Sequence, residues 1–160
     1  MRLIKDKIKS HRELKTIISR LKKRGQRIAF TNGCFDIIHL GHITYLEKAK
    51  KSADLLIVAI NSDRSVKKLK GKNRPVKKLK SRMAIIAALE SVDFVTYFRE
   101  TTPFEIIKLL KPDILIKGGD WNKDRIVGKD IVRDYGGQIK TIPYIKGYSS
   151  SKIIRRLISA

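Results

Sequence analysis

His39-Leu40-Gly41-His42 holds two of the chain's three histidines within four residues. The segment Thr31-Asn32-Gly33-Cys34-Phe35-Asp36-Ile37-Ile38 leads into it. An apolar Ile28-Ala29-Phe30 comes before, and a helical pattern from Ile43 to Lys50 comes after. Two imidazoles three residues apart at a helix start fall on one side of it. Helix N-terminal amides attract anions, and the imidazoles add donors beside them. A phosphoryl group in transfer needs that kind of donor array rather than a covalent nucleophile. Gly33 permits close backbone approach, and Gly41 removes side-chain bulk between the histidines. The plain alternative is a pair of ordinary surface histidines. A structural zinc site is not expected, because zinc takes four ligands and only Cys34 and Asp36 stand near.

Other segments carry candidate chemistry. Asp36 could hold a substrate hydroxyl or a hydrated magnesium ion, or close an Asx-type turn. For Cys34, packing or a backbone contact is the better reading than thiol catalysis. Lys67, Lys68, Lys70, Lys72, Arg74, Lys77 and Lys78 form a basic stretch that could close over a triphosphate, with one or two of them as ligands. Arg82 opens the next helix and could point into the same crevice. Gly118-Gly119-Asp120-Trp121 offers tight backbone passage, an acid for a ribose or sugar hydroxyl, and a ring that either stacks on a base or covers the core. Ser149-Ser150-Ser151 at a helix mouth offers hydroxyl and amide donors to phosphate, although one serine suffices as a cap. No glycine triplet opens the first helix and no Gly-Lys-Ser/Thr follows a glycine-rich run, so neither the dinucleotide fingerprint nor a Walker A loop is present.

The elements that must position these groups alternate. Residues 10–24 read as a helix with Ser10 as N-cap and Gly25 as its stop. Residues 27–31 read as the first strand, with Asn32-Gly33 turning out of it, and 41–50 as the next helix. The unbroken apolar run of 54–60 suits a parallel strand covered on both faces. Residues 61–80 read as a long basic loop with a short helical turn. Then come a helix over 81–90, a strand over 93–97 and a helix capped by Thr102 with Pro103 at its first position. A strand over 113–116, a helix within 123–135, a strand over 138–142 and a helix after the serines complete the chain. This alternation predicts an open α/β sheet, whose sites lie beyond the carboxyl ends of the strands. The candidate groups follow the first, second, fourth and fifth strands.

Composition bounds the rest. A chain of 160 residues, 42% of them hydrophobic, supports one domain with a core. No run approaches the ~18 apolar residues of a membrane span. Residues 1–9 are basic but lack a following apolar stretch, so no secretory signal is expected. The single cysteine excludes an internal disulfide and fits a reducing compartment, the cytoplasm. Lys plus Arg number 37 against 15 Asp plus Glu, a formal charge of +22. A nucleic-acid surface, a field for anionic small molecules and solvated lysine-rich faces all fit that total. The even spread of lysines favours the last.

These residues resemble the nucleotidylyltransferases with a His-x-Gly-His signature, here preceded by Gly33-Cys34-Phe35-Asp36. More closely, the chain is similar to the adenylyltransferase domains of bacterial ADP-heptose synthesis. Thr31 to Asp36, Asn61-Ser62-Asp63, Leu69-Lys70-Gly71 through Arg74-Pro75, Arg82-Met83 and Lys117-Gly118-Gly119-Asp120 carry that likeness. The resemblance implies an α/β fold, a Rossmann-like open parallel five-stranded sheet with helices on both faces. It implies transfer of AMP from ATP to D-glycero-β-D-manno-heptose 1-phosphate with magnesium. His39 and His42 would bind and stabilise the phosphates, Lys70 or its rival Lys72 would neutralise the triphosphate, and Arg82 would stand on the phosphate side. Thr31, Asn32, Gly33, Cys34, Phe35, Asp36, Gly41, Arg74, Gly118, Asp120 and Trp121 would bind nucleotide. Ser149-Ser150-Ser151-Lys152-Ile153 is similar to the superfamily's Ser-Thr-Thr-x-Ile element, with serines for both threonines. A related cytidylyltransferase acting on glycerol 3-phosphate shares the signature, and a charge-driven nucleic-acid module is the alternative of another class. The expected organisation is an accessory helical segment over 1–24 and a transferase domain over 25–160. A separate sugar kinase is implied as pathway partner, and residues 1–24 are a candidate dimer surface. No dedicated protein metal site, nucleic-acid partner or membrane partner is expected.

Overall fold

Five parallel strands form one sheet in the order β3-β2-β1-β4-β5. They are β1 (Ile28–Gly33), β2 (Leu55–Asn61), β3 (Phe94–Phe98), β4 (Ile114–Gly118) and β5 (Gln138–Ile142). The helices are α1 (Ile4–Lys7), α2 (His11–Lys22), α3 (Leu40–Lys50), α4 (Asp63–Lys70), α5 (Leu79–Ala87), α6 (Phe104–Leu110) and α7 (Lys129–Asp134). The computed structural model describes residues 3–119, 125–143, 145, 147–150, 153, 154 and 156. The expected α/β architecture is the observed one.

The apolar run of β2 is buried along its whole length because both faces of the sheet are covered. Leu56, Val58 and Ile60 meet Leu46 and Ala49 of α3 and Met83 and Ile86 of α5. Leu55, Ile57 and Ala59 face the other way, toward Leu14 and Ile18 of α2, Ile106 and Ile107 of α6, and Val132 of α7. Strand pleating sends alternate residues to opposite layers, so one strand serves both cores. At the amino ends of the strands, aspartates fasten neighbours together. Asp54, Asp93 and Asp113 accept the backbone N–H of Arg27, Leu56 and Ile28.

The Ser10 cap holds as read. Its hydroxyl accepts the Glu13 N–H, and the Glu13 carboxylate accepts the Ser10 N–H in return. The Gly136-Gly137 stop and the strand over 138–142 also hold, with Gly136 at φ 81°.

Several boundaries differ. Asn32 and Gly33 are not a turn; they continue β1 opposite Ala59 and Ile60. Residues 61–80 are not mostly loop, because Asp63–Lys70 is helical. Ser62 caps α4 by accepting the Ser65 N–H. The buried face of α4 is Ser65 and Val66 rather than an apolar stripe, and the Ser65 hydroxyl bonds to Asn61 and to the Glu100 carbonyl. Pro103, not Thr102, occupies the cap position of α6, and no side-chain bond closes that end. Arg82 sits one turn inside α5 rather than at its opening. Within the segment 1–24, expected to be helical, the structure has two helices, α1 and α2, and Ile8 between them bridges Val95 at the sheet edge.

Leu14 has no exposed surface and sits among Phe30, Phe98 and Ile106. Leu14→Ala should cost about 2–5 kcal/mol of stability. Urea denaturation of the full chain measures it; a loss below ~1 kcal/mol would mean that α2 contributes little to the second core layer.

Candidate functional site

Strand order reverses direction at β1, with β2 on one side and β4 on the other. In open α/β sheets a crevice forms at that point, beyond the strand ends. The β1–β4 ladder is short, pairing only Ala29 with Ile114 and Phe30 with Leu115. Beyond it the two strands part. Tyr45 of α3 reaches into the gap, where its hydroxyl bonds the Thr31 hydroxyl at 2.6 Å and donates to the Ile116 carbonyl at 3.4 Å. Above this wedge lies a cavity of about 650 Å³.

The cavity gathers the sequence candidates from four segments. Asn32 and Gly33 line it at the end of β1, Cys34, Phe35, Asp36, His39, Gly41 and His42 after β1, and Lys70 and Arg74 after β2. Gly118 lines it after β4, and Ser149 and Ser150 line it after β5. Lys72 is exposed and does not line the cavity, whereas Lys70 does. Asp120, Trp121 and Ser151 lie outside the described residues. Asn61, Tyr45, Ile145, Gly147 and Tyr148 also line it, and the sequence reading singled out none of them as ligands. Tyr148 had a signal within reach, since it abuts the serine run.

His39 is the N-cap of α3, so the positive end of that helix opens at the cavity. The two imidazoles stack with centroids 3.9 Å apart. Phe35 flanks His42 at 5.4 Å and Tyr148 flanks His39 at 6.1 Å, so four rings form one ladder. A Cβ at Gly41 would stand 3.1 Å from the His39 ring and 3.2 Å from Tyr148 Cβ, so a side chain there would press on both neighbours. Burial, then the neighbouring His39 and Lys70, push His42 down to about 4. Burial also lowers His39. Near neutral pH His42 is therefore an uncharged donor and acceptor rather than a fixed cation.

Asp36 is buried with both carboxylate oxygens occupied. Arg74 Nε donates at 2.6 Å, the Val76 N–H at 2.9 Å and the Lys77 N–H at 2.9 Å. Burial acts to raise this carboxyl, but the Lys77, Val76 and Arg74 bonds outweigh it and leave it lowered. Asp36 thus anchors the basic loop instead of offering a free ligand to a hydroxyl or a magnesium ion. Among the described residues no three acidic, histidine or cysteine side chains cluster to hold a metal.

Arg82 also differs from expectation. It has no exposed surface, and its donors go to the Lys77, Cys34 and Asn61 carbonyls and to Asp63. It braces the cavity floor from beneath and does not line the cavity. Thr31, equally buried, serves the Tyr45 wedge. These ties hold Phe35 at φ 46°, a left-handed conformation that a bulky residue adopts only under constraint. Burial raises the Cys34 thiol, which argues against a reactive thiolate.

Four buried side-chain atoms among the described residues have no partner: His39 Nδ1, His42 Nδ1, Arg74 Nη2 and Thr96 Oγ1. Three of them belong to residues lining this one cavity. Buried polar groups are normally satisfied, so three orphans together mark a place for a polar ligand. Asn32, Lys70, Ser149 and the α3 terminus surround that place with donors, a set suited to an anion, whereas the Ser150 hydroxyl donates to the Ile37 carbonyl at 2.9 Å.

The depressed His42 has a measurable consequence. The unfolded ring takes up a proton near pH 6.5, whereas the native ring does so only near 4. Stability contributed by the neutral ring is thus complete above that window and is lost as pH falls through it. The urea midpoint should drop between pH 6.5 and 4, and drop less in His42→Phe. NMR of the ring should give a midpoint near 4, and an ordinary midpoint near 6.5 would contradict the buried stack. Arg82→Ala should destabilise by about 3 kcal/mol, because it leaves the buried Asn61 carbonyl and the half-buried Cys34 and Lys77 carbonyls without this donor. A denaturation midpoint equal to wild type would show that water replaces the brace.

Residues 30–156 match the Cytidylyltransferase-like family. The chain is 47% identical over 145 residues to the bifunctional protein HldE of Hahella chejuensis, covering 91% of this chain and 30% of that protein. It is 49% identical over 152 residues to the bifunctional protein HldE of Nitratiruptor sp., covering 95% of this chain and 32% of that one. The chain thus spans about a third of the length of these relatives. Among solved structures, the lipopolysaccharide core biosynthesis protein of Thermoplasma volcanium superposes with a TM-score of 0.63 at 31% identity. That match covers 78% of this chain and 100% of the other. Pantothenate synthetase of Thermus thermophilus superposes with a TM-score of 0.63 at 15% identity, covering 92% of this chain and 67% of that one, a likeness of fold alone. A His-x-Gly-His cavity at the switch point of a parallel sheet, and a match across most of the chain, lead to one conclusion: the chain belongs to the cytidylyltransferase-like family.

Proposed function

We propose that this chain is a nucleotidylyltransferase that transfers AMP from ATP to D-glycero-β-D-manno-heptose 1-phosphate, releasing pyrophosphate. The observation that carries the reading is the set of orphaned polar atoms on His39, His42 and Arg74 around one cavity. The similarity to bifunctional HldE proteins over nearly the whole chain directs the choice of sugar and base.

An oxygen of the sugar 1-phosphate attacks the α-phosphorus of ATP in line. The new bond joins that oxygen to the α-phosphorus, and the bond from the α-phosphorus to the β-phosphate bridging oxygen breaks. The electron pair leaves with pyrophosphate. The nucleophile is already anionic, so no general base is needed. His39 and His42 donate from uncharged rings to the oxygens of the reacting phosphate, and the α3 amides add to that field. Lys70 and Arg74 face the departing pyrophosphate. Ser149 meets phosphate oxygens, Ser150 ties its segment to the Ile37 carbonyl, and Asn32 to Phe35 with Gly118 seat the nucleotide. Magnesium enters on the triphosphate, as part of the substrate.

In this reading residues 25–160 carry the transferase, residues 1–24 support it as an accessory segment with a dimer contact, and the chain works in the cytoplasm. A kinase must supply the sugar 1-phosphate. No helix of the described residues is long and apolar enough to cross a membrane.

A product assay crossing ATP and CTP with heptose 1-phosphate and glycerol 3-phosphate decides the assignment. ADP-heptose is the expected product. Preference for CTP with glycerol 3-phosphate would move the chain to the cytidylyl reaction. Salt-sensitive polynucleotide binding without nucleotide transfer would remove the enzyme reading. His39→Ala and His42→Ala should each lower kcat about 10²- to 10³-fold with little change in Tm. Unaltered turnover in both would overturn the role given to the pair.

A further inference from the structure

Lys117 ends up at a position that the sequence reading gave no task. Backbone pairing between β1 and β4 stops at Phe30 and Leu115. Asn32 and Lys117 each lie two residues beyond those partners, where the strands have parted. Across the gap the Lys117 ammonium donates to Asn32 Oδ1. Asn32 lines the cavity, and Lys117 stands behind it.

Two physical consequences follow. Lysine offers donors only, so its bond fixes which end of the Asn32 carboxamide faces it. The oxygen is taken by Lys117, and the two N–H donors remain for the cavity. Without the lysine the amide is free to turn its oxygen outward, where it would repel a phosphate. The charge matters as well. Among the described residues, the only partner of the ammonium is this neutral amide. Burial lowers the Lys117 ammonium to about 8, a sign that its charge is poorly solvated. An anion seated against Asn32 would supply the missing counter-charge through a single polarised amide.

We infer that Lys117 is a positioning residue for the polyphosphate, holding the Asn32 amide donor-side outward and placing a positive charge behind it. The inference rests on reading the cavity as a polyphosphate site. It extends that reading to a residue outside the cavity wall and to the fork between β1 and β4.

The test uses the full chain and a ligand without a base. Tripolyphosphate and adenosine are titrated calorimetrically into wild type and Lys117→Met, which keeps the stem and removes the charge. Tripolyphosphate affinity should fall roughly tenfold or more, the size of one charge-assisted hydrogen bond. Adenosine affinity and Tm should stay at wild-type values. Equal tripolyphosphate binding in the two proteins would overturn the inference, as would a parallel loss of adenosine binding. If Lys117→Met does not fold, Lys117→Gln takes its place with the same criteria. In steady state, the KM for ATP should rise with the tripolyphosphate Kd while kcat changes less. The two readings separate cleanly. Lys117-dependent tripolyphosphate binding without AMP transfer removes the proposed reaction and keeps this inference. AMP transfer with Lys117-independent tripolyphosphate binding does the reverse.

Discussion

The parting of β1 from β4 is the constraint on which the rest of the site depends. A parallel sheet satisfies its backbone by pairing, and strands that stop pairing must find other partners. Here the helix after β1 and the helix before β4 lie on opposite faces of the sheet, so neither helix closes the gap from above. The Tyr45 hydroxyl ties Thr31 to the Ile116 carbonyl at the base of the fork. Higher up, Lys117 reaches Asn32. Polar bridges thus replace the ladder, and they leave a cavity whose walls belong to segments distant in sequence.

Buried charge serves construction as much as binding. Arg82 gathers the carbonyls of Cys34, Asn61 and Lys77, which lie on three separate segments. Asp36 draws Arg74, Val76 and Lys77 onto the turn after β1. Removing one partner from such a set leaves the others desolvated and unsatisfied, so the set behaves as a unit. It holds Phe35 in a conformation that its own backbone disfavours, and Phe35 in turn flanks His42. Arg74 belongs to both roles, with Nε bound to Asp36 and Nη2 without a partner.

Strand alternation, the Ser10 cap and the glycine stop were legible because each rests on a local rule. The segments that would form the site were legible for a similar reason: open parallel sheets present their carboxyl-end loops on one edge. What misled was tertiary context. Helix α4 has only Val66 and Leu69 as apolar residues and buries a serine beside the valine, so it reads as polar loop, and a cap with bonds to Asn61 and Glu100 holds it. Arg82 reads as a phosphate ligand by type, yet the packing around α5 encloses it. Asp36 reads as a possible metal or hydroxyl ligand, yet three donors reach it first. Lys72 and Lys70 are alike in sequence, and only the end of α4 beside Gly71 brings Lys70 to the cavity.

The sequence by itself determined the α/β class, the covered parallel strands and the histidine pair at a strand-to-helix junction. Those features follow from periodicity, capping and residue type, which act over a few neighbouring positions. Only the tertiary structure decided which charged groups face a ligand and which hold the frame. The physical reason is that an ionisable side chain takes its role from the partners within hydrogen-bond reach, and here those partners come from distant parts of the chain, 85 positions apart for Lys117 and Asn32.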